Sequence, residues 1–350
     1  MNFVFFAAVA YDSPLGGRTR QLADILSCRH QVHFIEMPSL RRPMPRHAVR
    51  RENGVWIHHL PPLPGGWRMQ GTRGEKFWII YAAAMLRRTL PPDFFAVVSN
   101  PFWEALTERL ESACLIYDCL DHCSIHTKSC YAPAVAEREQ RLAARSELIL
   151  AVSRKLTEFW QARYRKKTFF LPNGCPDPWL EMERRQPLRP LAGFLGALYE
   201  WIDYSLLEQV VEALPEVLFE FTGPVRDRKS IAALRQMTNV EFRTAVPFCR
   251  AAEVMSRYSV GLIPFRNDPV AEYSNPLKMY EYLALGIPVV STLPGEACLP
   301  VHVAVGAADF IRQVQRQLES PPPAEKMKRA VVSRTWNCIA TDLERILKKI

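Results

Sequence analysis

Apolar and polar positions along this chain come in blocks that read as alternating strands and helices. Phe3 to Ala10 is continuously apolar; a loop with Gly16 and Gly17 follows, then a helical stretch from Arg20 to Ser27 and a second strand at Gln31 to Ile35. Further strand-like runs stand at Phe95 to Ser99, Cys114 to Tyr117 and Leu148 to Val152, with helical patterns between them. Such alternation predicts a parallel sheet covered by helices, since parallel neighbours need long crossovers that bury both faces. The rhythm restarts after Pro172, Asn173 and Gly174, with strands expected at Leu191 to Leu195, Val217 to Thr222, Val240 to Phe242, Val260 to Ile263 and Pro288 to Ser291. Two doubly wound α/β domains are therefore expected, 1–173 and 191–350, joined by a proline- and charge-rich linker over 174–190, with ligands in the cleft between them. An amphipathic final helix, from about Ala330 to Ile350, could pack across both halves.

Composition narrows the class without choosing the function. The 350 residues, 48% hydrophobic and 23% charged, suit two ordinary globular domains, each long enough to bury its own core. A net charge of +9 favours anionic partners such as phosphates, nucleic acid or an acidic leaflet. Nine irregularly spaced cysteines predict reduced thiols in a cytosol rather than a disulfide framework. The opening apolar run, with Ala8 and Ala10, has some likeness to a signal-peptide core, but no basic residue precedes it, and it reads as a buried strand. No segment approaches the roughly 20 apolar residues that span a bilayer, so membrane contact would be peripheral.

The most informative stretch runs from Ser274 to Val290. Ser274 or Asn275 can cap a helix, Pro276 suits its first position, and Gly286 with Pro288 ends it before a buried strand. The free amides of such a helix start are an anion site. Lys278 in the first turn is disfavoured by the helix dipole, by a few tenths to about 1 kcal/mol, unless an anion is near. Glu281, one turn on and on the same face, could accept both hydroxyls of a ribose. The plainer alternative is an exposed ion pair between the two, worth about 0.2 to 0.5 kcal/mol.

Pro276, Lys278, Glu281, Tyr282, Ala284, Gly286 and Pro288 to Val290 closely resemble the nucleotide-binding signature of GT-B glycosyltransferases, in particular family 4-like, teichuronic-acid and exopolysaccharide enzymes of bacteria. Gly193 to Gly196, Phe221 to Pro224 and Gly261 to Phe265 extend the likeness in the second half, and Leu148 to Ser153 and Leu171 to Gly174 extend it in the first. The resemblance implies two Rossmann-like domains whose parallel sheets face across a cleft. The second would hold a nucleotide diphosphate sugar, a UDP-sugar, through Gly196, Gly223, Arg226, Arg228, Ser274, Asn275, Pro276, Leu277, Lys278 and Glu281. The first would hold a glycan or lipid-linked acceptor, and no metal or other cofactor is implied. Two features depart from the pattern. Many retaining members carry a Glu-x7-Glu pair, whereas counting back from Glu281 reaches Tyr273, with Glu272 beside it. Ala197 and Asp203 stand at or near positions those enzymes give to Arg and Lys, which leaves Lys278 with Arg226 or Arg228 as substitutes, as in the inverting xanthan glucuronosyltransferase.

On the acceptor side, Asp118 and Asp121 lie at and just beyond a strand end. An inverting transferase needs a carboxylate to take the acceptor hydroxyl's proton, and Asp121 is the expected base, with Asp118 held by backbone amides. The alternative is that both only cap a helix or bond their loop. Cys119, His122, Cys123, His126 and Cys130 cluster without a paired knuckle, so no zinc site is expected. Gly16, Gly17 and Arg18 could bring backbone amides close to a phosphate or acceptor. Basic residues at 41, 42, 46, 50 and 51, followed by Trp67 to Tyr81, suit an anionic membrane surface; the alternative is a solvated loop and an ordinary core helix. The expectation is a cytoplasmic glycosyltransferase at the inner face of the membrane, with no nucleic-acid partner. Its rivals are a nucleotide-sugar epimerase of the same fold and a basic polymer-binding protein, which would need a continuous basic face.

Overall fold

A computed structural model describes residues 1–13, 17–38, 47–63, 65–122, 132–185, 187–226, 228–268 and 271–349. Among these, strands form two sheets. The first orders β3-β4-β2-β1-β5-β6-β7-β8, with β1 Asn2–Phe6, β2 Gln31–Ile35, β3 Ala48–Glu52, β4 Val55–His59, β5 Phe94–Val98, β6 Cys114–Cys119, β7 Leu148–Ala151 and β8 Thr168–Phe170. The second orders β11-β10-β9-β12-β13-β14, with β9 Leu191–Leu195, β10 Leu218–Thr222, β11 Val240–Arg243, β12 Val260–Ile263, β13 Val289–Ser291 and β14 Val301–Val303. Met1–Ser13, Gly17–Pro172 and Asp342–Ile350 belong to the first compact unit, and Asn173–Thr341 to the second.

The central strands are largely apolar, with Asp118 of β6 a buried exception, because helices cover both faces of each sheet. In the second unit, Phe194, Phe219, Phe221 and Leu262 fill one side. Tyr258, Tyr280, Tyr282 and Ile263 fill the other. In both sheets the earliest central strand, β1 or β9, has its successors on opposite sides. The loops leaving its carboxyl end and that of its later neighbour therefore diverge, which opens a crevice.

The structure departs from the sequence expectation at several elements. β1 stops at Phe6 rather than Ala10. The expected all-parallel sheet contains one antiparallel strand, β3, joined to β4 by Asn53 and Gly54 with φ of 48° and 83°. Positive φ at both turn residues is the conformation that Asn-Gly hairpins favour. Arg50 and Arg51 are consequently strand residues: Arg50 pairs with Glu52, and Arg51 lies over the Trp56 ring at 5.0 Å. The single final helix is instead Ala324–Val331, a 3-10 turn Val332–Arg334 and Trp336–Leu347. It breaks because Thr335 pairs with Cys175 as a strand would, Cys175 donating to Arg334 O and Trp336 to Cys175 O, both at 3.0 Å. Residues of the stretch read as a linker pack within the second unit, with Trp179 buried and Arg184 donating to Tyr258 O at 2.8 Å.

Candidate functional site

At the carboxyl end of the second sheet, Leu195, Gly196, Thr222, Gly223, Pro224, Ala245, Val246, Phe248, Ala251 and Lys278 line a concavity enclosing about 350 Å³ of atom-free space, part of it open to solvent. Its floor depends on a close approach of two backbones. Gly223 has φ of +151°, and a Cβ there would stand 1.9 Å from Gly196 O. Only glycine satisfies both the conformation and the space.

The helix Leu277–Ala284 opens onto this concavity through Lys278. Pro276 occupies the capping position itself and makes no side-chain cap bond, which corrects the expectation that Ser274 or Asn275 holds that position. Ser274 donates instead to Ala271 O at 2.7 Å, and Asn275 O accepts from Asn173 Nδ2 at 2.6 Å. The helix start therefore lies beside an apolar-walled concavity with no cap from its own capping residue, an arrangement that favours an anion. Lys278 and Glu281 form an ion pair, but a largely buried one, with Glu281 only 3% exposed, rather than the exposed pair weighed above. At its far end Ile287 donates to Tyr282 O at 2.9 Å and Gly286 to Leu283 O at 3.0 Å, which closes the helix as the Gly286 signal predicts.

Of the remaining expected donor residues, Gly196 and Gly223 line the concavity, and Arg226 and Arg228 are exposed just beyond it in sequence. Glu272 is exposed on a 3-10 turn, Ala271–Tyr273. The lining by Thr222, Ala245, Val246 and Phe248 was missed, although the carboxyl ends of β10 and β11 were the signal for it. Beneath Thr222 lies Glu220, fully buried and held by both Arg257 at 2.9 Å and Arg243 at 2.7 Å. Burying a carboxylate there is tolerable only because two guanidinium groups meet it.

In the first unit Asp118 is fully buried and receives Arg18 Nε at 3.0 and 3.1 Å, while Arg18 also donates to Pro172 O at 2.6 Å. This corrects two expectations. Asp118 is held by a guanidinium rather than by amides, and Arg18 is a buried residue opening the helix Arg18–Ser27, not a cation on a phosphate loop. Gly17 stands at the cap of that helix with φ of 133°; Gly16 lies outside the described residues. Asp121 is exposed past the end of β6, yet enough protein crowds its carboxyl to push it up to about 7 by desolvation.

Cys119 is buried and receives Trp160 Nε1 at 3.3 Å, while Cys123, His126 and Cys130 lie outside the described residues. Among the described residues no three His, Cys, Asp or Glu side chains group as metal ligands do. Arg41, Arg42, Arg46 and the Trp67 side chain also lie outside them. Trp78 and Ile79, counted with the membrane-facing stretch, are core residues, Trp78 donating to Pro61 O at 2.9 Å. Phe77 and Ile80 of the same helix, Arg73–Arg87, are 73% and 55% exposed.

No protein-family model matches the chain. Over 195 residues it is 25% identical to a protein of Bacillus subtilis (strain 168) provisionally named teichuronic acid biosynthesis glycosyltransferase TuaH, a match covering 50% of this chain and 49% of that relative. The chain thus matches about half the length of this curated relative. Among solved structures it is similar over 99% of its length to 98% of a sucrose-phosphate synthase from Thermosynechococcus elongatus, with a TM-score of 0.76 and 14% identity. It is also similar over its full length to 99% of Anabaena HepE, solved in complex with UDP and glucose, with a TM-score of 0.73 and 12% identity. A UDP-forming trehalose-phosphate synthase from Burkholderia vietnamiensis covers the chain equally, with 97% of its own length, a TM-score of 0.69 and 14% identity. Two α/β units with mostly parallel sheets and these counterparts give the chain the GT-B fold of glycosyltransferases.

Proposed function

We propose that this chain is a glycosyltransferase of polysaccharide synthesis, in which the second unit holds a UDP-sugar and the first holds a glycan or lipid-linked acceptor. The observation that carries the proposal is the Lys278–Glu281 pair at the start of Leu277–Ala284, set on a concavity floored by Gly196 and Gly223. A diphosphate seated there would draw Lys278 Nζ from Glu281 and meet the helix amides. Glu281, released from the lysine, would accept the ribose hydroxyls. As the anomeric bond breaks, negative charge grows on the leaving diphosphate, and Lys278, Arg226 or Arg228 and those amides stabilise it. Asp121 takes the proton of the acceptor hydroxyl whose oxygen attacks the anomeric carbon, giving inversion. Glu272 is the carboxylate a retaining course would use instead.

Membrane contact is the second part of the proposal. No described helix is long and apolar enough to cross a membrane. The helix Arg73–Arg87 nonetheless turns Phe77, Ile80 and Tyr81 outward, with Arg73, Lys76 and Arg87 exposed beside them. Such a face suits the inner, anionic leaflet of a cytoplasmic membrane, where a lipid-linked acceptor would be found. Calorimetric titration with UDP tests the core of the reading: binding to the parent chain, weakened by joint replacement of Lys278 and Glu281, is expected. A chain indifferent to UDP and to UDP-sugars would refute it.

A further inference from the structure

The loop that follows β9 carries an aromatic pair outside the donor concavity. The rings of Tyr199 and Trp201 stack with centroids 4.3 Å apart and planes 19° apart, and Trp201 remains 40% exposed. Backbone bonds pin this loop on both sides of the sheet's crevice. On the β10 side Leu198 donates to Pro224 O at 3.0 Å and accepts from Arg226 at 2.9 Å. On the β12 side Ile202 bridges to Phe265, and Arg266 donates to Trp201 O at 2.8 Å. Tyr204 Oη donates to Tyr199 O at 2.9 Å between them.

A single exposed apolar residue is ordinary. This tryptophan differs because Tyr199 covers one face, its backbone is fixed, and it stands at the switch point where open α/β sheets take ligands. Its orientation costs no further ordering on binding. We propose that the open face of Trp201 is a stacking subsite for a pyranose ring, an inference that rests on the transferase reading. The weakly positive C–H hydrogens on the flat side of a pyranose match the negative face of an indole. Hydroxyls at the ring's rim then meet exposed polar neighbours, Arg266 and Asn267. A nucleobase is the poorer occupant, because the reading seats the nucleotide in the concavity, whose lining excludes Trp201.

The pyranose comes either from the transferred sugar or from the acceptor, and titration of the full chain separates these sources. One arm compares UDP with UDP-glucose; the other follows saturation transfer to cellobiose in the presence of UDP. Trp201→Ala is expected to weaken one arm about tenfold while UDP affinity and melting temperature stay at parent values, and Trp201→Phe is expected to stay within about threefold. Loss of the UDP-glucose advantage assigns the subsite to the donor sugar, and loss of the cellobiose signal assigns it to the acceptor. Parent-like responses of Trp201→Ala in both arms, or an equal loss of UDP itself, would overturn the subsite while sparing the transferase reading. A parent chain that does not bind UDP removes both.

Discussion

Glu281 illustrates how a residue predicted for binding is also committed to the fold. Because it is buried and paired with Lys278, either single substitution strands a charge, which typically costs about 3 to 5 kcal/mol when burial is complete. Single variants therefore confound stability with affinity. The double variant Lys278→Met with Glu281→Gln removes both charges, and it is expected to melt within about 1 kcal/mol of the parent. Its affinity for UDP should nevertheless fall by about tenfold or more, since both proposed ligand contacts are gone. Gly223→Ala makes a contrasting prediction: with Gly196 O at 1.9 Å from the new Cβ, the backbone must move, at a cost of about 2 kcal/mol or more. Thermal melts and UDP titration on the same samples measure both. Asp121 concerns rate. As the proposed base, raised to about 7, it is half protonated there, so turnover should climb with pH through that region. Asp121→Asn should lower turnover about 10²- to 10⁴-fold and abolish that limb while leaving UDP affinity unchanged. Stability moves the opposite way, because a carboxyl raised in the fold favours the native state at low pH and loses that contribution as pH rises toward 7.

At the scale of elements, the β2–β4 edge of the first sheet holds a line of imidazoles. His47 Nε2 stands 3.1 Å from His58 Nδ1, and His58 Nε2 stands 2.8 Å from His33 Nδ1. Desolvation lowers His33 to about 4, and desolvation followed by the neighbouring histidines lowers His58 to about 3. A depressed histidine contributes stability that is complete above its ordinary value of about 6.5 and is lost as pH falls toward the folded value. The melting temperature should accordingly drop between about pH 6.5 and 4, and His58→Gln should flatten that slope. The helix Arg73–Arg87 is fixed by Thr72, which accepts from Glu75, and by Glu75, which accepts from Arg138 at 2.7 Å. Its exposed apolar face is thus rigid. Phe77→Ser with Ile80→Ser should weaken co-sedimentation with anionic vesicles several-fold, salt should weaken that of the parent, and neither should change UDP binding. Equal sedimentation with neutral and anionic vesicles would exclude the electrostatic part.

For the whole molecule, ligand binding to the native state alone must raise its stability. Hydrogen exchange with and without UDP should therefore show new protection around 195–198, 222–226, 245–251 and 277–281, the segments that line or adjoin the concavity. The histidine line should stay unaltered in its exchange. Protection distributed evenly over both units would argue against a donor site confined to the second.

How much of this was legible depended on the range of the interaction. Buried strands such as Leu191–Leu195 and Val260–Ile263 were readable to the residue, because near-continuous burial leaves a continuous apolar run. The helix Leu277–Ala284, with Lys278, Glu281 and its Gly286 stop, was also readable apart from its cap, which falls on Pro276, since each signal lies within a turn or two of the next. The Asn53–Gly54 hairpin was also written locally and was obscured by the basic residues around it. Other features have no local signature. Arg18 meets Asp118 across 100 positions, and Thr335 pairs with Cys175 only because two distant segments run side by side. The sequence by itself determined the strand–helix alternation, the GT-B resemblance and the candidate donor motif. Tertiary structure alone decided that Asp118 is tied to Arg18, that the Lys278–Glu281 pair is buried and that Trp201 stands pinned at the crevice, because each depends on strand order bringing remote backbones together.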